Sequence, residues 1–355
     1  MGKVRENRTA VIKEVEKAEI IVRQIPAIKE NEVLIKVHAC NLCTSEYGIW
    51  TGKRTNRTLP WAFGHEWSGT VVEVGPEVFE FTIGDFVGGC YEFNPASRQS
   101  LMGQTLSDPE KKGFNKIQSD GLQGQAACGE YLVLPKQSVF KFTKELPPAE
   151  AAFLEPIATV YAGIKQLGII PGDTVVVIGA GTMGLLNAEI AKFCGANVLV
   201  TEILPQKIAI AQAMGYQVID SSQPDFLDKI KQQTNQRKAD QVIVAVGVQA
   251  AMEQAFKIVK EFGGKIELFA AGYPDPEISA TMNQLHYNRT ALIGAFDADF
   301  LDFEIAARIL ATGRLQLKPL IEKIFPLEQV QEAFKLAATP GTYRVSVSIS
   351  SRGDV

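Results

Sequence analysis

The chain has 355 residues, 46% of them hydrophobic and 21% charged, and its 36 basic against 40 acidic side chains leave a net charge of −4. This is a globular composition, long enough for two domains with sizeable cores, and its near-balanced charge argues against a nucleic-acid or polyanion surface. No apolar run approaches the ~18 residues that a membrane span needs. The first eight residues are charged and lead into no apolar core, so they do not read as a signal peptide, and Glu6 stands where a myristoylation signal needs Ser or Thr. The five cysteines are odd in number and scattered, which fits free thiols in a reducing cytoplasm better than a disulfide framework.

Taken in order, the first ninety residues read as short strands, at 9–12, 20–24, 33–39, 68–75 and 86–87, punctuated by Gly, Pro and Asn. Such a pattern predicts a small antiparallel barrel or sandwich. Residues 94–126 are polar and aperiodic and read as a long excursion. A strand returns at 131–135, and a helix interrupted at Pro156 covers 149–166. From Pro171 the texture changes to strands at 174–178, 197–201, 241–246, 265–270 and 291–295, with helices at 182–194, 205–214, 225–234 and 250–261 between them. That alternation predicts a doubly wound parallel sheet with helices on both faces. Helices at 300–313 and 327–338 and a closing strand at 343–349 complete the chain.

The strongest local signal is Thr174-Val175-Val176-Val177-Ile178-Gly179-Ala180-Gly181-Thr182-Met183-Gly184. A continuous apolar, β-branched run is what a strand buried on both faces requires. Gly179, Gly181 and Gly184 form Gly-x-Gly-x-x-Gly, followed by a helix whose free N–H groups and dipole suit a pyrophosphate. The next strand ends in Glu202, near the ~20-residue spacing at which an acid meets the ribose hydroxyls of a dinucleotide. A carboxylate there repels a 2′-phosphate, so the cofactor reads as NAD. Gly179, Gly181, Thr182, Met183, Gly184 and Glu202 are the cofactor-binding candidates.

Upstream lie Cys43-Thr44-Ser45 and Gly64-His65-Glu66, and later Leu154-Glu155-Pro156. Cys, His and carboxylate are the ligand types of catalytic zinc sites that keep a position open for substrate. Zinc lowers the pKa of a bound alcohol, and Ser45 is placed to take that proton. Trp61 and Trp67 read as aromatic core, Trp50 as core or a pocket wall, and Cys40 as packing.

These motifs together resemble the zinc-containing medium-chain alcohol and polyol dehydrogenases over essentially the whole chain. The likeness rests on Cys-x-Ser at 43–45, Gly-His-Glu-x-x-Gly at 64–69, Val-Gly at 74–75, Gly-Asp at 84–85, Glu-Pro at 155–156, the glycine fingerprint and Tyr343-Arg344. Gly-His-Glu with Glu-Pro resembles the sorbitol, iditol and threonine dehydrogenase branch. Asn283-Gln284-Leu285-His286-Tyr287 resembles a segment of bacterial polyol and cyclitol dehydrogenases. The resemblance implies a Rossmann nucleotide domain at 157–298 and a GroES-like catalytic domain from 1–156 and 299–355, with zinc facing the nicotinamide above residues 179–184. It implies Cys43 and His65 as metal ligands with Glu66 or Glu155, Ser45 on the substrate hydroxyl, Thr159 beside the nicotinamide and Arg344 at the cofactor pyrophosphate.

Two departures from the family pattern stand out. Many relatives carry a relay histidine where this chain has Gly48, after Glu46 and Tyr47. The structural zinc lobe of four close cysteines is reduced to Cys90 and Cys128, too few and too far apart for a Cys₄ site, so one zinc per subunit is expected. The expected activity is NAD-dependent oxidation of a secondary alcohol in a polyol, sugar or cyclitol, in a homodimer or homotetramer without nucleic-acid or membrane partners. A threonine-like amino alcohol, or a catalytically silent nucleotide-binding protein of the same fold, are the alternatives. The last sheet strand, near 292–296, is the edge through which subunits of relatives pair.

Overall fold

In the computed structural model, residues 6–91, 93–94, 97–108, 116–272, 274–278 and 280–350 are described. In chain order they form β1 (Glu6–Glu14), β2 (Lys17–Gln24), β3 (Glu32–Leu42), α1 (Thr44–Trp50), β4 (Glu66–Val74), β5 (Phe86–Gly89), α2 (Arg98–Leu101), β6 (Tyr131–Pro135), β7 (Val139–Lys141), α3 (Pro148–Ala151) and α4 (Leu154–Leu167). Next come β8 (Thr174–Ile178), α5 (Thr182–Phe193), β9 (Asn197–Glu202), α6 (Pro205–Ala213), β10 (Gln217–Asp220), α7 (Phe226–Gln233), β11 (Gln241–Val244), α8 (Gln249–Ile258), β12 (Lys265–Leu268), α9 (Met282–Asn288) and β13 (Ala291–Gly294). The chain closes with α10 (Phe300–Ala311), β14 (Ile321–Pro326), α11 (Val330–Ala337) and β15 (Arg344–Ser348). No helix among the described residues is long and apolar enough to cross a membrane.

Two compact units emerge, one from Met1–Ala158, Ala298–Gly313 and Ile321–Val355, the other from Thr159–Asp297 and Arg314–Leu320. The short segment 314–320 belongs with the second unit because its contacts lie there. The Gln316 backbone N–H donates to Glu189 at 2.8 Å, its amide donates to the Met214 carbonyl at 3.1 Å, and Arg314 covers the Phe193 ring.

In the first unit β3 is the axis. Its buried, mostly β-branched face pairs antiparallel with β4, β6 and β15, within the sheet order β14-β15-β3-β4-β5-β7. The closing strand β15 therefore joins the N-terminal strands, with Val345 opposite Leu42 and Ser348 opposite Ala39. β1 and β2 form a separate hairpin sheet. Trp61, Phe63 and Trp67 are all fully buried, and Trp50 stacks on Phe334 at 5.7 Å, so these aromatics pack in the core. The described part of the polar excursion is anchored at both ends. Leu106 N–H donates to Asp299 at 2.9 Å at the start of α10, and Asp120 pairs with the buried Arg23 of β2 at 2.6 Å.

The second unit is a six-stranded, all-parallel sheet in the order β10-β9-β8-β11-β12-β13. The strand order turns back between β8 and β11, which defines the switch point of a doubly wound fold. Val176, Ile178, Val242, Val244 and Ile266 bury one face of it against α7 and α8. Three strands carry too little signal for the sequence pattern. β10 and β7 have only four and three residues, and the edge strand β14 is interrupted by Glu322 and Lys323. The helix expected at 149–166 is two helices. The break falls at Ala152 and Phe153, while Pro156 sits in the first turn of α4, where a missing N–H costs nothing.

Candidate active site

Strand register builds one corner of the first unit. Asn41 of β3 faces Glu66 of β4, so Cys43, just past the end of β3, meets His65, just before β4 begins. Arg344, the first residue of β15, enters the same corner because its neighbour Val345 is opposite Leu42. Asn41 and Ser68 donate to the Ala149 and Pro148 carbonyls at 3.2 and 2.8 Å, holding α3 against the sheet. Glu155 then arrives in the first turn of α4.

Among the described residues, two groups of three offer ligand atoms within 4.8 Å of one another: Cys43, Glu46 and His65, and His65, Glu66 and Glu155. They share His65. Glu46 is the fastening of this corner. Its Oε2 accepts from Cys43 N–H at 2.6 Å, and its Oε1 takes His65 Nδ1 at 2.7 Å and Gly64 N–H at 3.2 Å. Gly64 has φ +105°, and a Cβ there would stand 2.6 Å from the Cys128 nitrogen, so only glycine lets this turn close. The sequence reading had named Glu46 only as a neighbour of Gly48. The signal was available as an acid three residues after a helix N-cap.

Electrostatics mark the corner as built for a cation. Burial alone would lower the His65 pKa, but Glu46, Cys43 and Glu155 outweigh it and push it well up. Desolvation raises the Cys43 thiol, yet Arg344 and His65 outweigh it and hold it well below the usual thiol range. Glu66 is fully buried, and neither carboxylate oxygen has a hydrogen-bond partner among the described residues. Burial pushes its pKa well up, against the pull of Arg344, whose guanidinium stands 3.0 Å from Oε1. A buried carboxylate with unfilled lone pairs beside a histidine and a thiolate-prone cysteine offers the donor types that could hold a metal ion. Ser45 Oγ, on the first turn of α1, is also buried without a hydrogen-bond partner among the described residues.

The other candidates, Arg344 apart, lie in the second unit. Gly179, at φ +101°, turns the chain out of β8, and its N–H donates to Thr201 at 2.8 Å. A Cβ on Gly184 would overlap the Gly179 carbonyl oxygen, so this glycine seats α5 on the turn. Gly181 is the N-cap of α5, and Thr182 and Met183 follow it, half-exposed at the helix start. Glu202, at the end of β9, braces the same turn. Oε2 accepts Ala180 N–H at 2.8 Å, and Oε1 accepts Ile203 and Leu204 N–H at 2.7 and 3.1 Å. Thr159 Oγ1 is buried without a hydrogen-bond partner among the described residues. Arg344 lies against Glu66, with a further bond to the Leu42 carbonyl at 3.2 Å. His286 and Tyr287 sit on α9, edge to face, with Tyr287 exposed.

Residues 29–144 match the family model for the alcohol dehydrogenase GroES-like domain, and residues 182–312 match that for zinc-binding dehydrogenase. L-threonine 3-dehydrogenase of Pyrococcus abyssi (strain GE5 / Orsay) is 30% identical over 344 residues, 92% of this chain and 94% of that protein. The chain belongs to the zinc-type medium-chain alcohol dehydrogenase family. L-galactonate-5-dehydrogenase of Escherichia coli (strain K12) is 27% identical over 319 residues, 88% of this dehydrogenase and 90% of the relative. A zinc-binding dehydrogenase from Sinorhizobium meliloti 1021, solved bound to NADP, superposes with a TM-score of 0.85 at 23% identity, covering 97% of this chain and 99% of its own. The fold is thus the GroES-like plus Rossmann-like pair that the motifs imply, and this dehydrogenase is an oxidoreductase of alcohols.

Proposed function

We propose that this dehydrogenase moves a hydride between NAD and a secondary alcohol of a polyol, sugar or cyclitol, with one zinc held by Cys43, His65 and a carboxylate of Glu66 or Glu155. The observation that carries the reading is the meeting of His65, Glu66 and Glu155 within 4.8 Å, with Cys43 in a second such group that shares the same histidine. Glu46 occupies Nδ1 of His65, which makes Nε2 the ligand atom and fixes the ring. Zinc at this corner would supply a Lewis acid that lowers the pKa of an alcohol, and NAD would accept the hydride. The chain's own part is to orient the substrate and carry the proton. Ser45 Oγ, buried and without a competing partner, accepts from the substrate hydroxyl. Arg344 stands against Glu66 and offsets part of the cost of ionising this buried carboxylate beside a second one.

The choice of NAD rests on Glu202. Its oxygens accept backbone N–H groups, which fixes the carboxylate at the turn, and Oε2, which accepts one of them, keeps lone-pair capacity for a ribose hydroxyl. We assign the nucleotide domain to 157–298 and the catalytic domain to 1–156 and 299–355, with Gly179, Gly181, Thr182, Met183, Gly184, Thr159 and Arg344 serving the cofactor. The exposed edge strand β13 supports a homodimer or homotetramer, and five free thiols support a reducing cytoplasm. A panel of polyols, cyclitols and amino alcohols, scored for NADH and NADPH formation alongside zinc per subunit, tests the reading. Turnover undiminished in metal-free protein, or a preference for NADP, would overturn it.

A further inference from the structure

The loop after α1 reads Thr51-Gly52-Lys53-Arg54-Thr55-Asn56-Arg57-Thr58, three bases and no acid in a chain of net charge −4. It is tied back to its helix, since Arg54 N–H donates to the Gly48 carbonyl at 2.9 Å. The half-buried Arg54 side chain then lies across α1. A Cβ on Gly48 would stand 3.1 Å from Arg54 Cδ, 3.2 Å from Cγ and 3.3 Å from Nε, so the bare backbone of Gly48 is the bed of this arginine.

Among the described residues no carboxylate pairs with the Arg54 guanidinium. Its charged neighbour has the same sign: after burial, the charge of Arg54 is what lowers the Arg57 pKa. A half-buried Arg54 guanidinium with no carboxylate against it among the described residues becomes more favourable when an anion sits against it. The planar fork of arginine suits a phosphate or a carboxylate in particular.

The Arg54 stem also lies on the helix that carries Ser45. Ser45 and Gly48 are three residues apart on one helix face, so the Arg54 stem crosses α1 about one turn, ~5 Å, from the Ser45 level. An anion on Arg54 and a hydroxyl at Ser45 then fit one short carbon chain.

We propose that Arg54 binds an anionic group of the substrate, a phosphate monoester or a carboxylate on a carbon remote from the reacting carbinol, and so selects anionic polyols over neutral ones. This rests on the reading of the Cys43–His65 corner as the place where the alcohol is oxidised. Calorimetric titration of xylitol, xylitol 5-phosphate and xylonate into the zinc-loaded full-length enzyme tests it. Either anion should bind roughly 10- to 100-fold tighter than xylitol, and the better of the two names the anion. Arg54→Met should collapse that ratio to about twofold or less, with Arg54→Lys restoring part of it. Equal binding of all three probes, no binding of either anion, or a preference that survives in Arg54→Met would overturn the assignment. NADH formation is scored separately. Anion binding through Arg54 without turnover of any alcohol sinks the dehydrogenase reading and leaves the anion site standing. Turnover of neutral xylitol with no preference for the anions does the reverse.

Discussion

The turn after β8 and the corner at Cys43 are assembled in opposite ways. The turn is made from one stretch, 174–202, and every oxygen of its acid is already engaged: Glu202 accepts from Ala180, Ile203 and Leu204. The corner takes its groups from four places, 43–46, 64–66, 155 and 344, and leaves Glu66 and Ser45 with buried oxygens that have no hydrogen-bond partner among the described residues. A satisfied turn is rigid before any ligand arrives. A corner that gathers unsatisfied donors costs free energy until a cation and a substrate complete it. The two therefore differ in what a mutation should do.

The sharpest contrast comes from the corner itself. Cys43→Ala removes a thiolate that the local charge already favours. Activity should fall roughly 10³-fold or more, and bound zinc should disappear in elemental analysis. Thermal melting should stay close to wild type, because Cys43 lies half-exposed at a helix N-cap and outside the apolar clusters. A variant that keeps its zinc would break the comparison.

Glu46→Gln probes the fastening and spares the ligands. The charge that holds His65 Nδ1 is lost, and zinc affinity should drop about 10- to 100-fold, read by chelator competition. An unchanged affinity would mean that the corner is as rigid as the turn.

At the turn the effect should be confined to the cofactor. Glu202→Ser removes charge-assisted bonds worth about 1.5–3 kcal/mol each together with the repulsion of a 2′-phosphate. NAD should bind about 10- to 100-fold more weakly and NADP should gain relative to it, with the zinc content untouched. Coupled loss of zinc would deny the separation of the two regions.

The last effect is on stability alone and lies within the second unit. Glu267 on β12 is fully buried, its oxygens lack hydrogen-bond partners among the described residues, and burial pushes its pKa up to about 8. It packs against Gly163 and Ala295, while Lys265 on the same strand is spent on the Leu167 carbonyl. The folded chain keeps this proton up to about pH 8, whereas the unfolded chain releases it near 4.5, the ordinary value for a free glutamate. Between those pH values the folded state binds more protons, so stability falls as pH rises. In Glu267→Gln that slope should flatten by on the order of 3 kcal/mol across the window, measured as the difference between the two proteins' unfolding at pH 5 and pH 8.5. A parallel pH dependence in both proteins would show that the carboxyl is ionised in the fold.

How much of this was legible beforehand follows the same division. A five-residue β-branched strand, three glycines at fixed offsets and an acid one strand later specify the turn through chemistry acting over a few residues, so residues 174–202 are readable in order. The ligand types Cys43, His65, Glu66 and Glu155 were readable as types, through their residue chemistry and a family pattern. Their meeting was decided by strand register: Asn41 opposite Glu66, and Val345 opposite Leu42. Register depends on the pairing of whole strands, and no local pattern carries it. The same cause hid Glu46 as the partner of His65, Arg344 as the partner of Glu66, and the bed that Gly48 makes for Arg54. The short strands β7 and β10 escaped because three or four residues hold no period. By itself, the sequence determined the two kinds of fold and the candidate residue types for metal and nucleotide, since these follow from periodicity and side-chain chemistry. Only the tertiary structure decided which charges are paired and which are left waiting, because that depends on distances between segments up to about three hundred residues apart in the chain.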